Sequence, residues 1–444
     1  MELTDLQSKN IAILGFGQEG QAVFSYLTKH GITATVLDKE QQGESYLNNL
    51  TEFDIIFRSP GIWRNTPQIL EAEKQGKVIT SQAKWFFENS PAKIIGITGT
   101  KGKGTTSSLI YNILKASGKS AYLTGNIGKT QPLEILDELS DQAFVVYELS
   151  SFQLQDLTIS PHIGVCLMVT SDHLNHHTDL DEYHSAKSSI TAFQTAEDFA
   201  IYNIDYEASK AIGEKGDGAK LQISAQTKPA AGAYIDAKAN AIEIYQPSAA
   251  SFTIDCSERK LRGNHNLENI AAAVLTSLNL GISKEVISEQ IKSFAGLEHR
   301  LEFIGTFGEV SYYNDSISTV PETTIAAVKS FSEPIHLFLG GSDKGLHYDG
   351  LIAELLKQQN IASITLLGET GLTIKSELEK QNSSIPTFGP YTDFDLAITQ
   401  TIARTKAGDI VLLSPASASF DMFNNYAERG HKFVELVKQK TSHA

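Results

Sequence analysis

Ile94-Ile95-Gly96-Ile97-Thr98-Gly99-Thr100-Lys101-Gly102-Lys103-Gly104-Thr105-Thr106 is the stretch on which the fold turns. An apolar run to Thr98 reads as a strand. The glycines then give a tight turn, and a helical pattern continues to about Ala116. Strand, glycine-rich turn and helix N-terminus together form a phosphate cradle, because backbone N–H groups and the helix dipole both favour an anion there. Lys103 reaches the terminal phosphates, and a hydroxyl just beyond it holds Mg²⁺. The spacing departs from the common pattern. Five residues separate Gly96 from Gly102, and Gly104 follows Lys103, so the first hydroxyl is on Thr105. The competing reading is a glycine-rich turn with a solvated lysine.

Upstream, Gly15-Phe16-Gly17-Gln18-Glu19-Gly20 follows the apolar run Ile11–Leu14 and opens a helical stretch from Gln18 to Lys29. Asp38 ends the next strand signal, 21 residues after Gly17. Alone, this is a dinucleotide fingerprint with a ribose-binding acid. It rivals the loop at 98–106 as the cofactor site. Three readings stay open: a redox enzyme, ligand-free strand–helix packing, or a first unit binding a nucleotide that belongs to the substrate while the second binds ATP.

Further strand signals at Thr33–Leu37, Phe53–Phe57 and Val78–Thr80 alternate with helical ones, which predicts a parallel α/β layer. Ser90-Pro91 reads as a linker. A second α/β unit takes its strands from Ile94–Thr98, Phe144–Glu148, Gly164–Val169 and Phe199–Asn203. The runs Ala233–Asp236, Ala241–Tyr245 and Phe252–Asp255 read as antiparallel strands, and an Ala-rich helix follows at Leu267–Leu278. Past Gly296–His299 a third α/β unit runs through Ile335–Leu339, Ser363–Leu367 and Ile410–Leu413. Three domains also suit 444 residues, at about 150 residues per domain.

Composition narrows the function. The formal net charge is −15 and no basic run stands out, which argues against a nucleic-acid partner. Two cysteines, Cys166 and Cys256, make neither a disulfide framework nor a zinc site. No apolar run reaches 18 residues and the N-terminus is polar, so the expectation is a cytoplasmic protein without a membrane span. Glu148, closing its strand signal beside the loop, is well placed for Mg²⁺, or else pairs with a loop. His173, His176 and His177 lie within five residues. Their spacing suits tetrahedral zinc poorly, and composition alone favours exposed or satisfied histidines. Lys187, on a polar helical stretch, reads by itself as solvated.

Taken together, these residues resemble the Mur ligase family over essentially the whole chain. The matching motifs are Ile97-Thr98-Gly99-Thr100-Lys101-Gly102-Lys103, Glu148-Leu149-Ser150-Ser151-Phe152-Gln153-Leu154 and Thr170-Ser171-Asp172-His173. Further along are Gly263-Asn264-His265-Asn266-Leu267-Glu268-Asn269, His299-Arg300-Leu301-Glu302, Asn314-Asp315-Ser316, Gly340-Gly341-Ser342-Asp343-Lys344 and Ser414-Pro415-Ala416-Ser417-Ala418-Ser419-Phe420-Asp421, with Arg429-Gly430 after it. The resemblance implies three domains. These are a Rossmann-like domain for a UDP-linked substrate (1–91), a central P-loop ATPase-type α/β domain with an added antiparallel sheet (92–297), and a Rossmann-like amino-acid domain (298–444). It implies a monomeric, ATP-dependent ligase of peptidoglycan precursor synthesis. Such a ligase joins D-glutamate to UDP-N-acetylmuramoyl-L-alanine through an acyl phosphate and releases ADP and phosphate.

The resemblance also implies roles. Lys103, Glu148, His173 and Lys187 become catalytic. Two Mg²⁺ ions are held by Thr105, Glu148, His173 and a carbamylated Lys187. Gly99, Thr100, Lys101, Gly102, Lys103, Gly104 and Thr105 bind ATP with Asn269, Arg300 and Asp315. Gln18, Glu19, Asp38, Ser59, Gly61 and Asn126 form the UDP-substrate pocket. Thr319, Lys344, Ser419 and Phe420, with Tyr426 beside them, form the amino-acid pocket. Two departures bear on this. Gly104 replaces the family's hydroxyl, an order also seen in folylpolyglutamate synthases, and Ile317 replaces a lysine. The alternatives are therefore a ligase for another amino acid such as L-glutamate, a folylpolyglutamate synthase-like ligase, and a non-catalytic nucleotide-binding paralogue.

Overall fold

The computed structural model describes residues 1–127, 130–170, 179–247 and 249–441. Two compact units emerge, one of Met1–Glu258 with His265–Lys292, the other of Arg259–Asn264 with Ser293–Ala444. Among the described residues no helix is long and apolar enough to cross a membrane.

The first unit holds two sheets. In the N-terminal one, β1 (Ile11–Leu14), β2 (Thr35–Leu37), β3 (Ile55–Arg58) and β4 (Val78–Thr80) run parallel in the order β2-β1-β3-β4. β1 and β3 are buried along their whole length, as strands covered on both faces must be. The second sheet contains β5 (Lys93–Thr98), β6 (Ala121–Gly125), β7 (Phe144–Glu148), β8 (Ile163–Cys166), β9 (Phe199–Asn203), β10 (Ala219–Ser224), β11 (Gly232–Asp236), β12 (Ala241–Gln246) and β13 (Ala249–Asp255). Its order is β13-β12-β11-β10-β9-β8-β5-β7-β6, with β5 at the crossing point of the chain. Only β11–β12 and β12–β13 pair antiparallel.

Those antiparallel strands are present as expected, but they extend the parallel sheet instead of forming one of their own. Gly232 is the reason. A Cβ there would sit 1.9 Å from the Gln222 carbonyl oxygen, so only glycine lets β11 lie along β10. The strand expected to reach Val169 stops at Cys166, because the Met168 carbonyl accepts the Thr100 N–H at 2.7 Å and Val169 N–H bonds Ser209 Oγ at 2.9 Å. The Ser90-Pro91 junction is no loose joint either. Ala92 is buried, and one core runs from Ile13, Phe57 and Trp85 to Tyr147, Leu149 and Leu154 across both sheets.

The second unit has one sheet of β14 (Glu302–Phe307), β15 (Val310–Asn314), β16 (Ile335–Gly340), β17 (Ile361–Leu367), β18 (Thr387–Tyr391) and β19 (Ile410–Leu413). The order is β14-β15-β19-β16-β17-β18, parallel except for the β14–β15 hairpin. Separate apolar clusters cover its two faces, one around Leu337, Leu339 and Leu412, the other around Phe338, Leu413 and Phe433.

A buried ion pair links the two sheets of the first unit. Arg58, at the end of β3, donates to Asp156 at 2.5 Å and to the Phe152 carbonyl at 3.2 Å. Both side chains of the pair are almost wholly buried. Removing one partner strands a buried charge, whereas replacing both with apolar groups does not. Asp156→Ala is therefore expected to lower the urea unfolding free energy by about 3–5 kcal/mol, and Arg58→Met with Asp156→Leu by much less. Equal losses in the two proteins would contradict this account of the joint.

Candidate active site

The loop after β5 has the shape its sequence predicts. Gly99 (φ +150°) and Gly102 (φ +87°) take backbone conformations that favour glycine. Gly102, which has no side chain to offer, is the N-cap of the helix Lys103–Ala116. A Cβ on Gly102 would lie 2.1 Å from Asn269 Oδ1. The helix His265–Asn279 thereby brings Asn269 against the loop, held by an Asn269-to-Asn266 side-chain hydrogen bond of 2.8 Å. Lys103 Nζ arches over the turn and donates to the carbonyls of Gly99 (3.0 Å) and Thr100 (3.3 Å). Lys101 is exposed, while Gly104 and Thr105 are buried in the first helical turn.

Glu148 ends β7, whose register sets it opposite Ile97 of β5, and it is buried. Lys187 is not the solvated lysine that its local sequence suggests. It is 2% exposed, donates to Thr98 Oγ1 (3.2 Å) and the Gly99 carbonyl (3.3 Å), and stacks over the Tyr183 ring. Thr98, at the end of β5, thus sits between the loop and Lys187. Burial pushes the Cys166 thiol near Lys187 up to about 12, which leaves it an inert core residue. His173, with His176 and His177, lies outside the described residues.

The N-terminal glycine turn is a second cradle with a glycine at the helix N-cap. Gly15 has φ +88°, and a Cβ on Gly20 would come 2.1 Å from the Gly15 carbonyl oxygen, so the helix Gln18–Lys29 packs tightly on the turn. Gly17, by contrast, faces open space and caps that helix with no side-chain hydrogen bond. These are the three roles glycine plays in a dinucleotide turn. Asp38 accepts the Phe16 N–H at 2.7 Å and the Glu40 N–H at 2.9 Å, so it braces the turn. Ser59 Oγ donates to the Gly15 carbonyl at 2.9 Å. Gln18, Gly61 and Asn126 are exposed.

Glu19 ties this turn to the motif that begins at Glu148. Its Oε1 accepts the Gln153 amide at 2.7 Å, while Oε2 is screened from solvent and has no hydrogen-bond partner among the described residues. Burial pushes its carboxyl up to about 7, against the opposing pull of Gln153 and Arg58.

In the second unit the loops at the carboxyl ends of β15, β16 and β19 carry Thr319, Lys344, Ser419 and Phe420, the position where open α/β sheets bind ligands. Lys344 Nζ lies 5.4 Å from the centre of the exposed Phe420 ring, and Tyr426 is also exposed. Arg429 was not among the expected site residues, yet it clamps these loops. Its buried guanidinium donates to Ser316 Oγ (3.0 Å) and to the carbonyls of Ser316 (2.9 Å), Ser417 (3.1 Å) and Ala418 (3.0 Å). The sequence carries it in Arg429-Gly430, a motif of the family resemblance to which no site role was attached. Asp315 is buried, with its carboxylate accepting the Leu301 N–H (3.1 Å) and Ser414 Oγ (2.7 Å). Burial pushes it up to about 6. Arg300 is exposed. Both belong to this unit, whereas Asn269 belongs to the first.

Glu298, His299 and His431 bring potential ligand atoms within 4.8 Å of one another, but their bonding disfavours a metal. The Asn314 amide donates to His299 Nδ1 (2.8 Å) and to Glu302 (2.9 Å), which leaves the ring proton on Nε2 of a histidine that burial keeps neutral.

Likeness to known proteins extends over nearly the whole chain. Residues 97–277 match the Mur ligase middle domain, and residues 299–417 match the Mur ligase, glutamate ligase domain. The chain is 36% identical to the UDP-N-acetylmuramoylalanine--D-glutamate ligase of Acetivibrio thermocellus, covering 97% of each protein. It is 34% identical to the enzyme of that name from Clostridium tetani, covering 98% of this chain and 97% of that one. Among solved structures it resembles a UDP-N-acetylmuramoyl-L-alanyl-D-glutamate--2,6-diaminopimelate ligase, with TM-score 0.61, 17% identity and coverage of 88% and 93%. It also resembles the MurF ligase of Thermotoga maritima in complex with ADP, with TM-score 0.58, 18% identity and coverage of 100% and 97%.

The raised Glu19 carboxyl gives a signed prediction. It is protonated in both folded and unfolded chains below its ordinary value of 4.5, and the folded chain alone keeps the proton up to about 7. Its contribution to stability is complete at low pH and is lost as pH rises through that window, by about 3 kcal/mol. Unfolding titrations at pH 5 and pH 8 are expected to show Glu19→Gln gaining on the parent by this amount at the higher pH. A constant difference across that range would refute the shift.

Proposed function

The chain belongs to the Mur ligase family, and we propose that it is the ligase that joins D-glutamate to UDP-N-acetylmuramoyl-L-alanine, consuming ATP and releasing ADP and phosphate. The observation that carries this reading is the near-complete likeness to relatives of that name, at 36% identity over 97% of the chain. The geometry agrees with it. One compact unit holds two glycine turns, each opening a helix with no side-chain cap.

In this reading the first turn, with Gln18, Glu19, Asp38, Ser59, Gly61 and Asn126, receives the UDP-linked substrate. The second, Gly99–Thr105, receives the ATP phosphates, and Asn269 takes the adenine. Arg300 and Asp315, which belong to the second unit, are assigned to ATP by the same family likeness. A carboxylate is a poor electrophile, so its oxygen attacks the γ-phosphorus and ADP leaves. The amine of the amino acid then attacks the acyl carbon, and phosphate leaves. Catalysis of the first step rests on alignment and charge neutralisation. Lys103 supplies a cation at the loop mouth, and the helix N-terminus that it opens favours the phosphate charge.

Thr105 and Glu148 offer hard oxygen donors that suit Mg²⁺, and His173 joins them in this assignment. Lys187 as an amine is no ligand. Its addition to CO₂, with loss of a proton, gives a carbamate whose oxygens fit the same ion. Two Mg²⁺ ions held here would neutralise the phosphate charge. Thr319, Lys344, Ser419 and Phe420 receive the amino acid, with Lys344 facing a glutamate carboxylate. The domains divide at 1–91, 92–297 and 298–444, and the enzyme works as a cytoplasmic monomer.

Two outcomes follow. A mass-resolved assay with ATP and UDP-N-acetylmuramoyl-L-alanine should yield product with D-glutamate, at least about tenfold faster than with L-glutamate, and none with a folate substrate. Preference for L-glutamate would assign Ile317 the opposite specificity. Lys187→Ala should lose at least about 10²-fold in turnover and regain part of it with added acetate or formate. Full activity without a carboxylate would exclude the carbamate.

A further inference from the structure

The geometry points to Asn65 and Glu182 as positioning residues that tie the substrate loop of the first turn to the helix carrying Lys187. The inference rests on the assignments of that turn and of Lys187 given above. Residues 59–66 start on the glycine turn, where Ser59 N–H bonds the Leu14 carbonyl (2.9 Å) and Ser59 Oγ bonds that of Gly15. They end on the central sheet's side of the core. Arg64 Nε donates to Asp156 at 3.1 Å, and Asn65 Nδ2 donates to Glu182 Oε1 at 2.9 Å. Gln155, from the turn that follows the Glu148 motif, donates to the same oxygen at 2.8 Å.

Glu182 lies in the first turn of the helix Leu180–Ser188, whose start is capped by Asp179 accepting the Glu182 N–H at 2.8 Å. The far end of that helix presents Lys187 to Thr98 and Gly99 of the phosphate loop. The helix is thus held at one end by the substrate loop and at the other by the phosphate loop. A ligand that orders residues 59–66 restrains the helix at Glu182 and, through it, the setting of Lys187. By linkage, each substrate then tightens the other.

The test is calorimetric titration of the full-length protein with Mg²⁺ and an ATP analogue whose β,γ-bridge cannot be cleaved, with and without UDP-N-acetylmuramoyl-L-alanine. In the parent the second ligand is expected to raise nucleotide affinity roughly five- to tenfold. Asn65→Ala and Glu182→Ala should reduce that ratio below about twofold with the thermal midpoint little changed. Glu182→Gln, whose amide oxygen can accept both hydrogen bonds, should retain most of it. No coupling in the parent, or undiminished coupling in Asn65→Ala and Glu182→Ala, overturns the proposal. Lys187→Ala separates the two layers. If it abolishes the Mg²⁺ dependence of nucleotide binding while Asn65→Ala and Glu182→Ala keep the coupling, only the relay fails. If it binds like the parent, the Lys187 assignment fails and the relay with it.

Discussion

Arg58 ends a strand with its guanidinium out of water, and a buried cation must find acceptors. It finds them at the Phe152 carbonyl, within the Glu148 motif, and at the Asp156 carboxylate just beyond it. Arg64 reaches the same carboxylate from the substrate loop. Glu19 meets Gln153 a few residues away. These polar contacts, set in one apolar core, hold the N-terminal sheet to the central one. Two helix N-termini, each with a glycine at the N-cap, thereby become parts of one compact unit. Joining a nucleotide-linked carboxylate to a γ-phosphate needs that arrangement, since alignment is most of what an enzyme contributes to phosphoryl transfer.

Much of this was legible in the sequence. β1, β4, β7, β9 and β19 fall where the apolar runs put them, as does the helix Gln18–Lys29. Strands buried on both faces leave continuous apolar runs with glycines at their ends. β6, β14 and β18 escaped, because their residues are mixed in polarity and mostly half-buried, so periodicity is weak there. The placement of β11 beside β10 turned on Gly232, and a single glycine does not announce which backbone it approaches.

The site divides the same way. The phosphate loop and glycine turn carry short-range signatures, so their geometry could be read from spacing. Lys187 could not, since its burial is set by Thr98 and Tyr183, which are distant or uninformative in sequence. Arg429 and the Asn65–Glu182 contact are likewise products of the fold. A polar residue in a helix or loop shows its partner only after the chain has folded.

The central claim is that the substrate's carboxylate oxygen attacks the γ-phosphorus. The direct measurement labels that carboxylate with ¹⁸O in UDP-N-acetylmuramoyl-L-alanine, runs the reaction with ATP and D-glutamate, and weighs the released phosphate. One ¹⁸O per phosphate is predicted, because the attacking oxygen leaves with the phosphoryl group when the amide forms. Unlabelled phosphate, or release of AMP and pyrophosphate, would contradict the account.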